Sequence, residues 1–290
     1  MSDALVSTEW LATRLDAPDI RIVDASFKMP GITPTARADY LAEHIPGAVF
    51  FDIDEIADSA SRLPHMLPAP EKFASRMRRL GLGDGHRIVI YDSQGITGAA
   101  RAWWSFRVFG HMDVSVLDGG LRAWKAEGRR VDDATPMPRE RHFTARLNNM
   151  LVRDKAQILA NIDTDREQVL DARSAGRFAG EIPEPWPLRR QGHIPGSFNL
   201  DHTLLVDSAS GKVKPPEVLA GLFRQAGIDS QRPIVTSCGS GITACVLALG
   251  LHLTGHRDVA VYDGSWAEWG LADGPPIETG PDRSIMQDLA

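Results

Sequence analysis

Residues 237–246 read SCGSGITACV, and residues 91–100 read YDSQGITGAA. Both stretches leave a short apolar run, cross a loop that closes on Gly-Ile-Thr, and enter a run of small residues. They differ at one telling position, where the later stretch has Cys238 and the earlier one Asp92. The likeness spreads outward from this frame. RIVDAS (21–26) returns as QVLDAR (168–173), HIPGAVFFD (44–52) as HIPGSFNLD (193–201), RIVIYDSQGITG (87–98) as PIVTSCGSGITA (233–244), and GHMDVSVLDGGLRAW (110–124) as GHRDVAVYDGSWAEW (255–269). Four blocks recur in one order, 145–149 residues apart. A solenoid would repeat a shorter unit three or more times, so the chain is a duplicated domain.

Within each copy, strand and helix patterns alternate. RIVIY, PIVTS and DVAVY are short β-branched runs that suit buried strands. PEKFASRMRRLG (70–81) and PPEVLAGLFRQAG (215–227) open on proline and close on glycine, which predicts helices. Such alternation implies a mainly parallel sheet flanked by helices on both faces. The expected architecture is therefore α/β, with two tandem domains. An inactive copy is placed at residues 1–132, a linker at 133–150 and a catalytic copy at 151–290. The run DDATPMPRERHFTARLN (132–148), rich in proline and charge, marks the linker. The tail after Gly274 is expected to be irregular or to wrap the surface.

Bulk properties exclude several classes. The 290 residues carry a formal net charge of −6, which argues against nucleic acid and anionic membranes as partners. No apolar run approaches the roughly 18–20 residues that span a bilayer. The opening MSDALVSTEWLATRLD has no basic region followed by an apolar core, so no secretory signal is expected. Cys238 and Cys245 are the only cysteines. They are too few for a disulfide framework and lack structural-zinc spacing. A cytoplasmic setting is expected, with no metal and no cofactor.

In a parallel sheet, the turn beyond a strand's C-terminal end is where ligands bind. Cys238 stands there, between the strand PIVTS and an apolar run, ITACVLALGLHLTG (242–255), that predicts a helix. Free N–H groups and the positive end of the helix dipole favour a thiolate at such a position. Gly239 and Gly241 let the loop curl so that successive N–H groups converge on one anion. Cys245, amid Val, Leu and Ala, suits a small buried side chain instead.

The loop CGSGIT (238–243), the paired HIPG segments and DGSWAEWG (263–270) together resemble the tandem-domain sulfurtransferases of the rhodanese superfamily, over about residues 5–275. The loop itself is similar to that of the branch that uses 3-mercaptopyruvate. The resemblance implies that Cys238 takes sulfur from that donor as a persulfide, releases pyruvate, and passes the sulfur to a thiol, a dithiol protein such as thioredoxin, or cyanide. Cys238 and Ser240 are then the candidate catalytic residues, and Gly239, Gly241, Ile242 and Thr243 complete the persulfide loop, Thr243 as a helix cap or loop former. It also implies that Asp92 marks a copy that has become a scaffold.

Arg177, in the sequence GRF, matches an arginine that binds the substrate carboxylate. The second such arginine is replaced by Trp186, so Arg189 and Arg190 are the candidates to stand in for it. His44 of the first HIPG matches a histidine that works with the loop serine, although its aspartate partner would fall at Thr35. The segment HMLP (65–68) is expected to shape the pocket wall. Thiosulfate is the nearest alternative donor, and a non-catalytic sulfur carrier is a remoter reading. A cysteine phosphatase would need an arginine six positions after the cysteine, where this chain has Ala244.

Overall fold

The computed structural model describes residues 4–93 and 95–281. They gather into two compact units, one within Met1–Ser59, Leu67–Asn148 and Asp207–Val213, the other within Ala60–Met66, Asn149–Val206 and Lys214–Ala290. A five-stranded sheet organises each unit. In the first the strands are β1 (Leu5–Val6), β2 (Ile20–Asp24), β3 (Val49–Phe50), β4 (Arg87–Tyr91) and β5 (Val114–Leu117), in the order β1-β5-β4-β2-β3. In the second, β6 (Val152–Arg153), β7 (Gln168–Asp171), β8 (Phe198–Asn199), β9 (Ile234–Ser237) and β10 (Ala260–Tyr262) lie in the order β6-β10-β9-β7-β8. Every pairing is parallel, and the second order repeats the first. The duplication written in the sequence is thus a duplication of topology.

The central strands explain why their sequences are continuously apolar. All of β9 and all but the first residue of β4 are buried, as befits strands covered on both faces. The expected helices form at Pro70–Arg79 and Pro216–Gln225, burying Phe73, Ala74 and Met77 in one and Leu219 and Phe223 in the other. The run 242–255 becomes helical only over Ala244–Leu253, which leaves Ile242 and Thr243 in the loop. This helix is buried on nearly every side. A methyl group on Gly250 would meet Leu205 Cδ2 at 2.5 Å, so a glycine is needed for the close approach.

The segment expected to link the copies has no helix or strand over 133–148, yet it lies along the first unit. Its Phe143 is fully buried among Phe73, Phe106 and His111, with ring centroids 5.7, 6.1 and 5.6 Å away. Thr144 adds bonds from its N–H and hydroxyl to the Asp84 carboxylate at 2.7 and 2.8 Å. One aromatic anchor in a polar run suffices to pin it. Of the tail, residues 272–281 are irregular, and Glu278 bridges to His193. Residues 282–290 lie outside the described residues. Among the described residues no helix is long and apolar enough to cross a membrane, and no group of His, Cys, Asp and Glu side chains could hold a metal ion.

Candidate active site

Cys238 follows the last residue of β9, and its loop ends at Ala244, where the next helix begins. Two carbonyls of the loop are turned away from its mouth. Cys238 O accepts from Trp266 N at 2.9 Å and Gly239 O from Ala267 N at 2.8 Å, both in the helix Ser265–Trp269. In a planar trans peptide the following N–H points the opposite way. The N–H groups of Gly239 and Ser240 therefore face away from that helix, which is the arrangement an anion cradle needs. Gly241 has φ +79°, a left-handed conformation that glycine takes without strain and that completes the curl. Thr243 sits at the helix start, and its side chain makes no capping bond. Cys238 is 1% exposed, and Cys245 is fully buried with Sγ 3.2 Å from Gly241 O.

Ser240 Oγ lies 2.9 Å from His65 Nδ1, and both side chains are buried. His65 opens the HMLP segment, and the residue itself clusters with the second unit. Its ring meets Trp186 edge-on at 5.9 Å, and it adopts φ +60°, a strained conformation for a non-glycine residue. Sequence reasoning gave the serine's partner role to His44. That imidazole is instead fully buried in the first unit, with Nδ1 2.7 Å from Tyr40 O, Nε2 3.3 Å from Ala134 O, and the ring stacked on Tyr40. The only sequence signal for His65 was the HMLP match, read as pocket wall.

A methyl group on Gly239 would come within 2.9 Å of Arg177 Nη2 and 3.8 Å of Trp186 Nε1, so both side chains lie directly over the loop. Arg177 is held there by Glu184, whose carboxylate receives its Nε at 3.3 Å and also its Nη2. The same carboxylate accepts from Arg173 Nη1 at 2.7 Å. Arg173 in turn grips Asp171 through Nη2 at 2.7 Å, donates to Gly192 O at 2.8 Å, and stacks over Trp266 at 4.4 Å. Burial works against the Arg173 charge, but Asp171 and Glu184 outweigh it and hold the guanidinium above its ordinary value. Two carboxylates and two guanidinium groups thus form a neutral chain ending at Arg177. Neither Arg173 nor Glu184 was singled out from the sequence.

The other candidate arginines are bound to main-chain carbonyls. Arg190 Nη2 donates to Trp269 O at 3.0 Å and Pro275 O at 2.7 Å, tying down the start of the tail. Arg189 donates through Nε to Ala267 O at 2.7 Å and through Nη1 to Pro187 O at 3.1 Å. Because Ala267 N bonds Gly239 O, Arg189 holds the very residue of the backing helix that binds the loop, whereas Arg190 joins the helix's last residue to the tail.

The first copy's loop is filled by its own side chains. Asp92 is 2% exposed, and its Oδ2 accepts from Gly98 N at 2.7 Å, at the start of the helix Thr97–Val108. Ser93 N donates to Ser26 Oγ at 2.8 Å. Ser26 stands where the second copy has Arg173. Of these two N–H groups, that of Ser93 is the counterpart of the Gly239 N–H, which the second copy turns toward its mouth.

A family profile described as the rhodanese-like domain matches residues 7–127 and 154–272. The 3-mercaptopyruvate sulfurtransferase of Homo sapiens is 43% identical over 272 residues, covering 92% of this chain and 91% of that protein. The thiosulfate sulfurtransferase of Bos taurus is 42% identical over 273 residues, again 92% and 91%. The crystal structure of SseA from Escherichia coli, described as a 3-mercaptopyruvate sulfotransferase of rhodanese fold, superposes with a TM-score of 0.84 at 39% identity, over 91% of this chain and 99% of that one.

Proposed function

The chain belongs to the rhodanese-like domain family, with one copy of the domain in each half, and on that premise we propose that it is a sulfurtransferase using 3-mercaptopyruvate. The observation that carries this reading is the contact between Ser240 and His65 beside a cysteine whose loop lies under Arg177. The Cys238 thiolate attacks the donor sulfur, and the sulfur–carbon bond breaks with its electron pair passing to the carbon as the enolate of pyruvate. In the tautomer that carries its hydrogen on Nδ1, His65 donates to Ser240 Oγ, which leaves the Ser240 hydroxyl to donate to the ketone oxygen as negative charge builds on it. The enolate takes up a proton and leaves as pyruvate. The persulfide on Cys238 loses its proton and is held by the N–H groups of Gly239 and Ser240. A thiol, a dithiol protein such as thioredoxin, or cyanide then attacks the outer sulfur and restores the thiolate.

Arg177 receives the donor carboxylate, with the Trp186 indole N–H, which also lies over the loop, and Arg189 as the candidates to share it. Arg190 is assigned to holding the tail and His44 to the first unit's own structure. Residues 1–132 are read as the scaffold copy and 151–290 as the copy that reacts. Two thiols with no disulfide suit a reducing cytoplasm.

Identity alone does not choose between donors, since the human and bovine relatives stand at 43% and 42%. The site's charge does. Thiosulfate is a compact dianion that calls for positive charge beside the nucleophile. The loop supplies only Gly239 and Ser240 there, and the guanidinium over it, that of Arg177, is shared with the Glu184 carboxylate, which suits one further carboxylate better than a dianion. Mercaptopyruvate carries one carboxylate at a distance from its sulfur, and a ketone that a hydroxyl can polarise. The test compares kcat/KM for the two donors, together with the mass of the Cys238 peptide after donor alone. The expected result is one added sulfur, pyruvate release, and at least a tenfold preference for mercaptopyruvate, about 1.4 kcal/mol. A faster reaction with thiosulfate would overturn the donor assignment, and the absence of added sulfur with either donor would overturn the chemistry.

A further inference from the structure

The turn after β10 reads Asp263-Gly264-Ser265-Trp266, and its counterpart after β5 reads Asp118-Gly119-Gly120-Leu121. Gly120 has φ +54° and Ser265 φ +48°, so the two copies share a left-handed conformation at this residue, although Gly119 before it has φ +80° and Gly264 φ −66°. Glycine adopts it freely, whereas a serine there is strained. Strain of this kind persists only where the surroundings enforce it, and here they are the reacting loop. Ser265 is fully buried; its hydroxyl donates to Tyr262 O at 2.7 Å and accepts from the Cys238 N–H at 3.1 Å.

The side chain also acts through its bulk. A methyl group placed on Gly120 would lie 2.2 Å from Asp92 O, so the first copy's loop closes on its turn only because no Cβ intervenes. In the second copy a Cβ is present, yet the bond between loop and turn persists, with Trp266 N to Cys238 O at 2.9 Å against Leu121 N to Asp92 O at 3.1 Å. Both backbone polar groups of Cys238 are thereby held, its N–H by the Ser265 hydroxyl and its C=O by Trp266 N.

We propose that Ser265 is a positioning residue for Cys238: a spacer and anchor that fixes the nucleophile's backbone, and with it the aim of Sγ and of the Gly239 and Ser240 N–H groups. The inference rests on reading Cys238 as the nucleophile. It places the Cys238 N–H outside the sulfur cradle, because Ser265 already holds it.

Two variants separate the parts. Ser265→Gly gives this position the first copy's residue and removes both spacer and hydroxyl, while Ser265→Ala keeps the spacer and removes only the hydroxyl. Amide hydrogen exchange, thermal midpoints and single-turnover pyruvate release are measured on the full chain. Both variants are expected to lose protection at the Cys238 amide while keeping it at Trp266. Ser265→Gly is expected to melt no lower than the unmodified protein, yet to release pyruvate at least tenfold more slowly, with less than a twofold change in half-saturating donor. Unchanged exchange at Cys238, release within twofold of the parent, or activity lost only in step with the folded fraction would each overturn the proposal. A parent chain that takes up no sulfur would refute the proposed function alone, since the exchange result still decides whether Ser265 holds Cys238.

Discussion

At the scale of single residues, the two cysteines make opposite predictions. Cys238→Ser is expected to fold but to accept no sulfur, since a serine oxygen cannot store it; mass spectrometry after donor treatment checks this. Cys245→Ser is expected to keep most activity and to lose about 1–2 kcal/mol of stability, because a hydroxyl replaces a thiol on a buried helix face. Their sequence settings already separated them, one in a glycine loop and one in an apolar run. The arginines were less legible. Arg177→Ala is expected to cost about 2–3 kcal/mol in kcat/KM for mercaptopyruvate, as for loss of a charge-assisted pair. Glu184→Gln is expected to lower the stability measured by denaturant titration by about 3 kcal/mol, because it breaks a carboxylate 1% exposed and shared by two guanidinium groups. Nothing local in EIPEPWPL distinguishes Glu184 from Glu181; only burial between Arg173 and Arg177 does.

At the scale of elements, the informative comparison is between the two loops on the same strand-to-helix step. Asp92→Cys is expected to yield no second transferable sulfur, counted per chain by mass spectrometry. The Ser93 N–H is already taken by Ser26, and the first copy has no arginine at the position of Arg173. The strands and the long helices were readable because their periodicity and end signals are local. The start of the helix after Cys238 was not, since Ile242 and Thr243 have helix-compatible side chains and only the curl at Gly241 delays the first turn to Ala244. The 133–148 run shows the same limit from the other side. Its composition predicts slackness, while one residue, Phe143, seats it in an aromatic core.

At the scale of the whole molecule, acid is expected to loosen both units. Burial holds His86 and His111 in the first unit, and His193 and His202 in the second, below their ordinary 6.5. A histidine with a lowered folded value stabilises fully above 6.5, and that contribution disappears as pH falls through the lower value. Asp24 and Asp118, raised by burial from 3.8, act in the opposite sense, their contribution fading as pH rises. Melts at pH 7, 6 and 5 are therefore expected to show a falling midpoint, and His193→Asn to flatten the slope while keeping a donor toward Phe178 O. A midpoint that rises on acidification would mean that the carboxyl groups dominate.

The sequence by itself determined that the chain is a doubled parallel α/β domain with one cysteine-bearing loop and one loop without. Repeat spacing, β-branched runs and glycine placement are properties of short stretches, and they survive without knowledge of what packs against them. Which histidine meets Ser240 was decided only in three dimensions. His44 and His65 both sit in short proline-containing motifs, and the contact that selects His65 spans 175 residues of chain. The same holds for Arg190, which points to carbonyls of the tail, and for Ser265, whose left-handed turn lies against a loop 27 positions earlier. Such pairings depend on how the chain closes on itself, because burial and the few partners within hydrogen-bond reach choose among side chains that look alike along the sequence.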